Sequence, residues 1–331
     1  MAWSRAESTV LVTGAQGFIG AWLAERLLDD GARVIVLRRD CEPDARFRTE
    51  GVEDRCVVAL ADVQDYAALV RVLEEHGVDT VLHLAAQTIV GTANRSPLAT
   101  FEANVRGTYV LLEACRAVAD AGGALARIVV ASSDKAYGSH ELLPYREDFP
   151  LQPTFPYDVS KACTDMIARS FATTYGLPVA VTRLANVYGG GDLNWSRLVP
   201  DTCRALIADR APVLRSDGSP ERDYLHVDDA VEAYLAVAAS LDRPELRGRA
   251  WNAGWGAPLS ARTVVDRLIA VSGRDVEPDV RGAGTPHGEI DRQYLDSGAI
   301  RAELGWEPRV ALDDGLRRTF DWYAHRLAEV I

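Results

Sequence analysis

Cysteine and methionine are scarce in this chain of 331 residues, which has five of the former and two of the latter. The cysteines are scattered, without a CxxC pair or a cysteine–histidine cluster, so we expect neither a disulfide framework nor a metal site. Apolar runs are too short to cross a bilayer, and the first residues contain no apolar signal core. These features predict a cytoplasmic protein with reduced thiols and no membrane partner.

Basic residues are outnumbered, since 36 lysines and arginines face 48 acidic residues and give a formal net charge of -12. Such a balance argues against nucleic acid as a partner, although local arginines and helix N-termini can still bind a phosphorylated ligand. Internal repeats and low-complexity stretches are also missing. With 48% hydrophobic residues the composition is that of a globular protein, long enough for two domains.

The first half of the chain alternates between short β-branched runs and longer amphipathic segments. This alternation predicts an α/β fold with a doubly wound parallel sheet, whose buried strands are joined by helical crossovers. The predicted strands are Thr9–Thr13, Arg33–Leu37, Cys56–Leu60, Thr80–Leu84, Arg127–Ala131 and Val179–Arg183, and the predicted helices are Phe18–Asp30, Asp65–His76, Pro97–Asp120 and Tyr157–Tyr175.

The pattern changes after residue 185 to helices separated by short extended pieces, which predicts a smaller α+β lobe over the carboxyl ends of the sheet strands. We therefore expect a first domain over residues 1–185 and a second over residues 186–331, with some exchange of segments. The helices of the second half are predicted at Ser196–Asp209, Val227–Ser240, Ala261–Ser272 and Leu312–Ala328, and its extended pieces at Pro212–Leu214, Asp223–Val227 and Ala250–Ala253.

A glycine-rich segment follows the first predicted strand and opens the first helix. Gly14 permits the tight turn, Gly17 lets a pyrophosphate approach the backbone, and Gly20 allows the helix to pack closely on the strand. The helix N-terminus then stabilises the phosphates. The sequence therefore predicts a dinucleotide-binding Rossmann domain whose first contacts come from Gly14, Gln16, Gly17, Phe18, Ile19 and Gly20.

The end of the second strand bears on the choice between NAD and NADP. A carboxylate there accepts the ribose hydroxyls, whereas an arginine pairs with a 2′-phosphate. Arg38 and Arg39 favour NADP, and the adjacent Asp40 keeps NAD open. Further cofactor contacts are expected from Asp62, Val63, Leu84, Ala85 and Ala86, at the ends of the third and fourth strands.

Tyr157 and Lys161 lie four residues apart, so they share one face of their helix. A phenol has an ordinary pKa of about 10, and a nearby ammonium together with an oxidised nicotinamide lowers that pKa toward neutrality. Ser133, Asp134 and Lys135 follow the fifth strand, at the edge of the sheet where ligands bind. These five residues are the predicted catalytic set.

The glycine spacing resembles that of the short-chain dehydrogenase/reductase superfamily in its extended form. Within it, the Asp134-Lys135 doublet resembles the CDP-glucose 4,6-dehydratases among the nucleotide-sugar 4,6-dehydratases, where the dTDP-glucose enzymes have an acid followed by glutamate. The similarity continues through His83–Gln87, Asn186–Asp192, Arg197–Asp201 and Leu304–Pro308. Gly91 departs from the pattern, because a basic residue is expected there.

The resemblance implies a reaction on a nucleotide-diphosphate sugar, with CDP-glucose as the expected substrate. Tyr157 takes a proton from the hydroxyl on carbon 4, Lys135 or a group that it positions removes the proton on carbon 5, and Asp134 protonates the departing hydroxyl on carbon 6. Lys135 acts as a base if neutral or stabilises the enolate if charged. Substrate contacts are expected from Gln87, Asn186, Arg197, Arg222 and Arg292.

Two alternatives stay open at this point. A sugar-nucleotide 4-epimerase on the same scaffold would use Ser133, Tyr157 and Lys161 without needing Asp134 or Lys135. The second is a cofactor-binding protein without catalytic activity. Such a protein would not need to retain Ser133, Tyr157 and Lys161, all of which are present in this chain. The resemblance also implies a homodimer formed through the helices Pro97–Asp120 and Tyr157–Tyr175.

Overall fold

The computed structural model describes residues 3–284 and 290–328. Its strands are β1 (Thr9–Thr13), β2 (Arg33–Arg38), β3 (Val57–Leu60), β4 (Thr80–His83), β5 (Arg127–Ser133), β6 (Val179–Leu184), β7 (Asn186–Tyr188), β8 (Val213–Leu214), β9 (Glu221–His226), β10 (Ala250–Ala253), β11 (Pro258–Ser260), β12 (Asp279–Val280) and β13 (Arg292–Gln293).

The helices are α1 (Phe18–Asp29), α2 (Arg46–Thr49), α3 (Tyr66–His76), α4 (Val90–Arg95), α5 (Pro97–Phe101), α6 (Gly107–Asp120), α7 (Pro156–Tyr175), α8 (Leu198–Ile207), α9 (Val227–Ser240), α10 (Ala261–Ser272), α11 (Gly298–Leu304) and α12 (Leu312–Ala328). None of the described helices is both long enough and apolar enough to cross a membrane.

A seven-stranded sheet forms the centre of the molecule, in the order β10-β6-β5-β4-β1-β2-β3. All of its strand pairs are parallel. The order reverses between β1 and β4, which leaves a crevice at the carboxyl ends of these strands, and ligands bind at such switch points. The predicted doubly wound parallel sheet is confirmed, and this crevice positions the candidate site.

Residues that alternate along the strands contribute to different hydrophobic cores on the two faces of the sheet. Val10 and Val12 pack on one face with α1 and α9, while Leu11 packs on the other with α3, α6 and α7. Successive side chains of a strand point to opposite faces, so a sheet covered on both sides requires apolar residues at every position. The β1 residues Val10, Leu11 and Val12 are fully buried for this reason.

The strand Ala250–Ala253 lies elsewhere than predicted. The sequence rhythm places it in the smaller lobe, but the structure pairs it in parallel with β6 as the edge of the large sheet. The chain therefore returns to the first sheet after crossing the second lobe. Helix α9, which also follows residue 185, packs on the β1 face of the same sheet, so segments are exchanged between the two halves.

A smaller unit is built around β9, whose neighbours are β7, β11 and β13. Its core joins α8, α10 and α12 through residues such as Cys203, Leu268 and Leu316. The pairing of β7 with β9 is parallel and runs from Asn186 opposite Tyr224. This pairing brings Arg222 toward the carboxyl ends of the large sheet, where the catalytic candidates lie.

A buried ion pair joins α7 to β6. Arg183 donates to both carboxylate oxygens of Asp165, with Nε–Oδ2 and Nη2–Oδ1 distances of 2.7 and 3.0 Å, and the exposed fractions of the two side chains are only 1% and 0%. Arg183 Nη1 also donates to the Tyr137 hydroxyl at 2.7 Å. Because Tyr157, Lys161 and Asp165 recur every four residues on α7, this pair fixes the rotation of the helix that carries both catalytic candidates.

We predict that Asp165→Asn lowers the free energy of unfolding by about 3–5 kcal/mol, because it leaves the buried Arg183 guanidinium without its counter-charge. The measurement is urea unfolding of the purified protein. Arg169→Gln is the matched control, since Arg169 approaches the same carboxylate at 3.8 Å but is 47% exposed, and its removal should cost less than about 1 kcal/mol. Equal losses for the two variants would contradict the prediction.

Candidate active site

The glycine loop between β1 and α1 is shaped by close backbone contacts. Gly14 has φ of 78°, and a Cβ atom there would lie 2.7 Å from the backbone nitrogen of Ala85. A Cβ on Gly20 would lie 2.2 Å from the carbonyl oxygen of Gly14. Gly17 occupies the N-cap position of α1, where no described side chain caps the helix. The N–H groups of the first turn of α1 can therefore donate hydrogen bonds to an anion.

His83 joins this loop to the neighbouring strand and helix. Its Nδ1 lies 2.8 Å from the Thr13 hydroxyl, and its Nε2 lies 3.1 Å from the Thr108 hydroxyl. Thr108 donates its own proton to the Asn104 carbonyl oxygen, so it accepts one from Nε2. Burial, with a smaller contribution from Lys161, lowers the pKa of His83 to about 3. With this pKa His83 is neutral at physiological pH, and it is a hydrogen-bonding element of the fold.

The backbone that follows β4 is held against the glycine loop. Ala85 donates its N–H to the Thr13 hydroxyl at 3.2 Å, and this bond fixes the course of residues 84–86. Gln87 donates its N–H to Asn104 Oδ1 at 2.7 Å. Leu84, Ala85 and Ala86 thus line the crevice between β1 and β4, where the sequence predicts that the dinucleotide passes.

Asn104 lies in a π-helical turn, Glu102–Arg106, that separates α5 from α6. The predicted continuous helix Pro97–Asp120 is therefore interrupted, as helices often are at functional sites. The Asn104 amide donates to the Gln87 carbonyl at 3.0 Å and to the Ser160 hydroxyl at 2.8 Å. Asn104 thereby ties the loop after β4 to the catalytic helix α7, a role that helical periodicity could not reveal.

The two arginines after β2 are already engaged with carboxylates. Arg38 forms an ion pair with Glu53. Arg39 pairs with Asp40 at 2.7 Å and lies 4.0 Å from Asp62. Both arginines lie at the end of β2, and their ion pairs with Glu53 and with Asp62 join residues far apart in sequence, which the linear sequence does not reveal.

Gln16 and Val63 connect the neighbouring loops. Gln16 donates its amide to the Asp40 carbonyl at 2.9 Å and accepts the Glu42 N–H at 3.0 Å, so it fixes the loop after β2 against the glycine loop. Val63 packs against α6 so closely that a Cβ on Gly107 would lie 2.7 Å from its Cγ1. Phe18 and Ile19 form the first turn of α1.

Lys161 is buried on α7 and faces the sheet. Its Nζ donates to the Ala131 carbonyl of β5 at 2.9 Å, and burial lowers its pKa to about 8. Tyr157 lies one helical turn earlier and is half-buried. Burial raises the pKa of Tyr157, while the positive charge of Arg197 opposes this rise. A cationic ligand beside Tyr157 would add to the effect of Arg197 and favour the phenolate.

Ser133, Asp134 and Lys135 leave β5 through a 3₁₀ turn. The Ser133 hydroxyl donates to Asp134 Oδ1 at 2.8 Å and accepts the Lys135 N–H at 3.2 Å. The Asp134 side chain is buried, and its Oδ2 has no hydrogen-bond partner among the described residues. Burial raises the pKa of Asp134, against the opposing effects of Lys135 and of the Ser133 hydrogen bond. Asp134 is therefore turned into the protein at the carboxyl end of β5, while Lys135 is half-buried.

Asp158 is a buried carboxylate that the sequence analysis missed. It lies in the first turn of α7, directly after Tyr157, and is 4% exposed. Burial raises its pKa to about 6, with Lys135 and Arg222 lowering the value and Asp134 raising it. An acidic residue near a helix N-terminus is common, so no local signal could distinguish this buried carboxylate from an ordinary helix-end charge.

Arg222 extends from β9 into this group of charges and is 8% exposed. Its Nη1 donates to the carbonyl oxygens of Glu221 and Asp291 at 2.9 and 3.1 Å. Its positive charge favours the ionised forms of both Asp134 and Asp158. The structure thus brings two carboxylates, one lysine and one arginine together beside Tyr157.

The other predicted substrate residues are more dispersed. Arg197 pairs with Asp192 at 2.8 Å. Asn186 begins β7, opposite Tyr224 of β9. Arg292 is 52% exposed and pairs with Glu221 at 2.5 Å. It lines a cavity of about 440 Å³ formed by residues 139–143, 290–292 and 294. The space next to Gly91 is partly filled by Arg95, whose Nη1 would lie 3.5 Å from a Cβ at that position.

No group of three metal-binding side chains occurs among the residues that the structure describes. An anionic dinucleotide fits the site instead. The glycine loop has no room for side chains at Gly14 and Gly20, no described side chain caps the N-terminus of α1, and Lys161 supplies an ammonium group. The arrangement supplies a phenol, an acid and two cations at one sheet edge, which suits proton transfer coupled to hydride transfer.

Comparisons with known proteins agree with this geometry. A family model described as GDP-mannose 4,6 dehydratase matches residues 11–319. The CDP-glucose 4,6-dehydratase of Salmonella typhimurium is 31% identical over 331 residues, which cover 95% of this chain and 90% of that protein. The UDP-glucose 4-epimerase of Mycolicibacterium smegmatis is 32% identical over 320 residues, covering 96% and 98%.

A solved structure is also similar over the whole chain. The dTDP-glucose 4,6-dehydratase from Streptomyces venezuelae, crystallised with NAD bound, matches with a TM-score of 0.85 and 32% identity, covering 97% of this chain and 98% of that one. Both the sequence and the fold are therefore shared with proteins of one enzyme superfamily.

We predict that Gly14→Ala weakens dinucleotide binding at least about 10-fold, because the new Cβ displaces the Ala85 backbone. Gly122→Ala is the matched control, since Gly122 has φ of 87° and an added Cβ meets nothing within 4 Å. Both variants carry the cost of a left-handed alanine, about 1 kcal/mol, so only binding separates them. Titration of each protein with NAD, followed by intrinsic fluorescence, provides the comparison; unchanged affinity in Gly14→Ala would refute the prediction.

The raised pKa of Asp158 predicts that the stability of the folded protein depends on pH, and it fixes the direction of this dependence. Its pKa of about 6 lies above the usual value of 3.8, so the folded state retains the proton longer than the unfolded chain, and stability falls as the pH rises between these values. Asp158→Asn should therefore unfold like wild type near pH 4 and be more stable by about 1–3 kcal/mol at pH 8.

Thermal unfolding of both proteins across this range tests the prediction. Asp44→Asn serves as the control, because the Asp44 side chain is 83% exposed and should show no such divergence. A constant difference between wild type and Asp158→Asn at every pH would exclude the proposed origin of the effect.

Proposed function

Because the chain belongs to the GDP-mannose 4,6 dehydratase family within the extended short-chain dehydrogenase/reductase superfamily, we propose that it is a nucleotide-sugar 4,6-dehydratase with CDP-glucose as its substrate. The observation that carries this proposal is the buried Asp134, which precedes Lys135 at the carboxyl end of β5. A dehydratase needs an acid for the departing hydroxyl, and an epimerase does not. The product is the corresponding 4-keto-6-deoxy sugar nucleotide.

Tyr157 receives the proton of the hydroxyl on carbon 4. Arg197 and the Lys161 ammonium are the positive charges that assist this transfer, and the Ser133 hydroxyl supports it through a hydrogen bond. A bound NAD would supply the acceptor for the hydride of carbon 4 and, in its reduced form, the donor of the same hydride to carbon 6. The dinucleotide would be held by the glycine loop, by residues 84–86 and by Asp62.

The proton on carbon 5 is acidified by the new ketone. Lys135, or a carboxylate that it positions, removes this proton and returns a proton to carbon 5 when the hydride is delivered to carbon 6. Asp158 interacts electrostatically with Lys135 and has a pKa of about 6, so it is ionised at neutral pH and is the carboxylate that Lys135 would position. In the charged form, Lys135 also stabilises the enolate.

Asp134 then protonates the hydroxyl that leaves carbon 6. Burial raises its pKa above the usual value of an aspartate, which favours the protonated form that a general acid needs. The unpaired Oδ2 of Asp134 supports this role, because a buried polar atom without a partner is costly unless a ligand satisfies it.

The diphosphate of the substrate requires cations, and Arg222 and Arg197 are the proposed partners, with Arg292, Asn186 and Gln87 as further contacts. For the cofactor we propose NAD, since Arg38 and Arg39 are paired with carboxylates and the solved dTDP-glucose 4,6-dehydratase contains NAD. We also propose that the protein is a homodimer, which the exposed side chains of Tyr109 on α6 and Met166 on α7 support. A cytoplasmic location is proposed as well, and the free cysteines support it.

The proposal is tested by incubating the protein with CDP-glucose and, in parallel, with dTDP-, UDP- and GDP-hexoses. A 4-keto product, detected by its absorbance in alkali, is expected with CDP-glucose. An isomeric sugar without a ketone would instead indicate a 4-epimerase. The similarity to the UDP-glucose 4-epimerase of Mycolicibacterium smegmatis supports testing this alternative.

We predict that Asp134→Asn slows formation of the ketone product about 100- to 10,000-fold, while it leaves the earlier proton transfers in place. Substrate recovered from this variant in D₂O should therefore carry deuterium at carbon 5. Tyr157→Phe should give neither product nor exchange, because the first oxidation fails.

Asp148→Asn is the control for the aspartate substitution, since Asp148 is 68% exposed and should retain full turnover. Normal product formation by Asp134→Asn would remove the acid role of Asp134, and deuterium exchange by Tyr157→Phe would remove Tyr157 from the first step.

A further inference from the structure

Two groups of ion pairs, six charged side chains in all, lie where β2 ends. Arg38 and Arg48 pair with Glu53, and Arg39 pairs with Asp40 and lies 4.0 Å from Asp62. The three cations are therefore balanced by three carboxylates. Since the adenosine ribose of a dinucleotide binds at this edge in folds of this class, this balance bears directly on the ribose substituent that the chain accepts.

Glu53 binds two of the three arginines. It begins a 3₁₀ turn, Glu53–Arg55, that leads into β3, and its side chain is 13% exposed. One carboxylate oxygen binds Arg38 Nη1, and the other lies 2.9 Å from Arg48 Nε. Both oxygens are therefore committed, and the Arg38 guanidinium is held toward the β3 side of the sheet edge.

The positive charge of Arg39 is also balanced by a carboxylate. It is 62% exposed and binds Asp40 through two nitrogens, at 3.1 and 2.7 Å. Gln16 holds the Asp40 backbone from the glycine loop, so this acidic residue keeps its place near the ribose edge. A 2′-phosphate entering here would meet three carboxylates, and it would have to displace one of them to pair with an arginine.

We propose that Glu53 determines the cofactor specificity of the chain: by sequestering Arg38, it makes the ribose edge neutral and selects NAD over NADP. The inference rests on the dinucleotide site of the proposed function and assigns a discriminating role to a residue that does not itself need to touch the cofactor. The physical reason is that a doubly charged phosphate requires unpaired, well-oriented guanidinium groups, whereas ribose hydroxyls require only a nearby carboxylate or a neutral edge.

The test measures the affinities of purified protein, stripped of nucleotide, for NAD and NADP by fluorescence titration, without reference to turnover. Wild type is expected to bind NAD at least about 10-fold more tightly than NADP, and Glu53→Gln, which keeps the size of the side chain, should raise the NADP affinity about 10-fold or more. The NAD affinity of this variant should change less than about 3-fold.

Asp54→Asn is the matched control. Asp54 is the next residue of the same turn and is exposed, so its substitution changes the net charge equally without releasing Arg38. The NADP affinity of this control should stay within about 2-fold of wild type. In the double variant Arg38→Met/Glu53→Gln, the gain in NADP affinity should disappear, which assigns the gain to the released arginine.

Each other result has a definite meaning. Equal affinities of wild type for NAD and NADP, or an unchanged ratio in Glu53→Gln, would overturn the role of Glu53 and leave the proposed reaction standing. Binding of neither dinucleotide by wild type would overturn the cofactor site itself. If Glu53→Gln does not fold, Arg38→Met in otherwise unaltered protein decides the matter: unchanged NADP affinity supports sequestration, and a loss overturns it.

Discussion

The paired contact between Arg183 and Asp165 is the constraint on which the candidate site depends. Helix α7 carries Tyr157 and Lys161 on the same stripe as Asp165, so a rotation of the helix would turn all three away from the sheet. The Lys161 Nζ bond to Ala131 of β5 fixes the same stripe one turn earlier. A charge pair of this kind contributes little net stability, and its importance here is the orientation that it enforces.

The same arginine also fixes the loop that follows the catalytic doublet. Arg183 donates to the Tyr137 hydroxyl, which donates in turn to Asn252 Oδ1 at 2.7 Å. Asn252 lies on β10, the strand that returns to the large sheet from the second half of the chain. Because its amide also holds the Tyr145 carbonyl at 2.9 Å, the course of the chain after Asp134 and Lys135 depends on a strand more than 100 residues away.

Residues close in sequence were sufficient to predict much of this architecture, but contacts between distant segments were not. The strands β1 and β10 and the helices α9, α10 and α12 have the predicted bounds, because apolar periodicity and terminal signals specify them locally. The sheet that Ala250–Ala253 joins could not be predicted, since a run of four residues, three of them apolar, fits either sheet equally well. The glycine loop and the Asp134-Lys135 doublet were identified from motifs, whereas buried Asp158 carries no motif and acquires its environment only through Arg222 and Lys135.

The end of β2 shows why a residue type alone does not define a specificity. Arg38 viewed in sequence is a cation at the position that discriminates between ribose and its 2′-phosphate. Glu53, fifteen residues further on, forms an ion pair with it, although the register of the parallel strands β2 and β3 sets Arg38 opposite Leu60. The connection between two parallel strands runs from the carboxyl end of the first to the amino end of the second, so strand pairing alone does not place a carboxylate beside the end of β2. The 3₁₀ turn Glu53–Arg55 of this connection supplies the carboxylate that pairs with Arg38. The net charge near the end of β2 therefore depends on residues from the whole segment that includes β2 and β3. A motif that ends at β2 contains only half of the charged residues that determine this net charge.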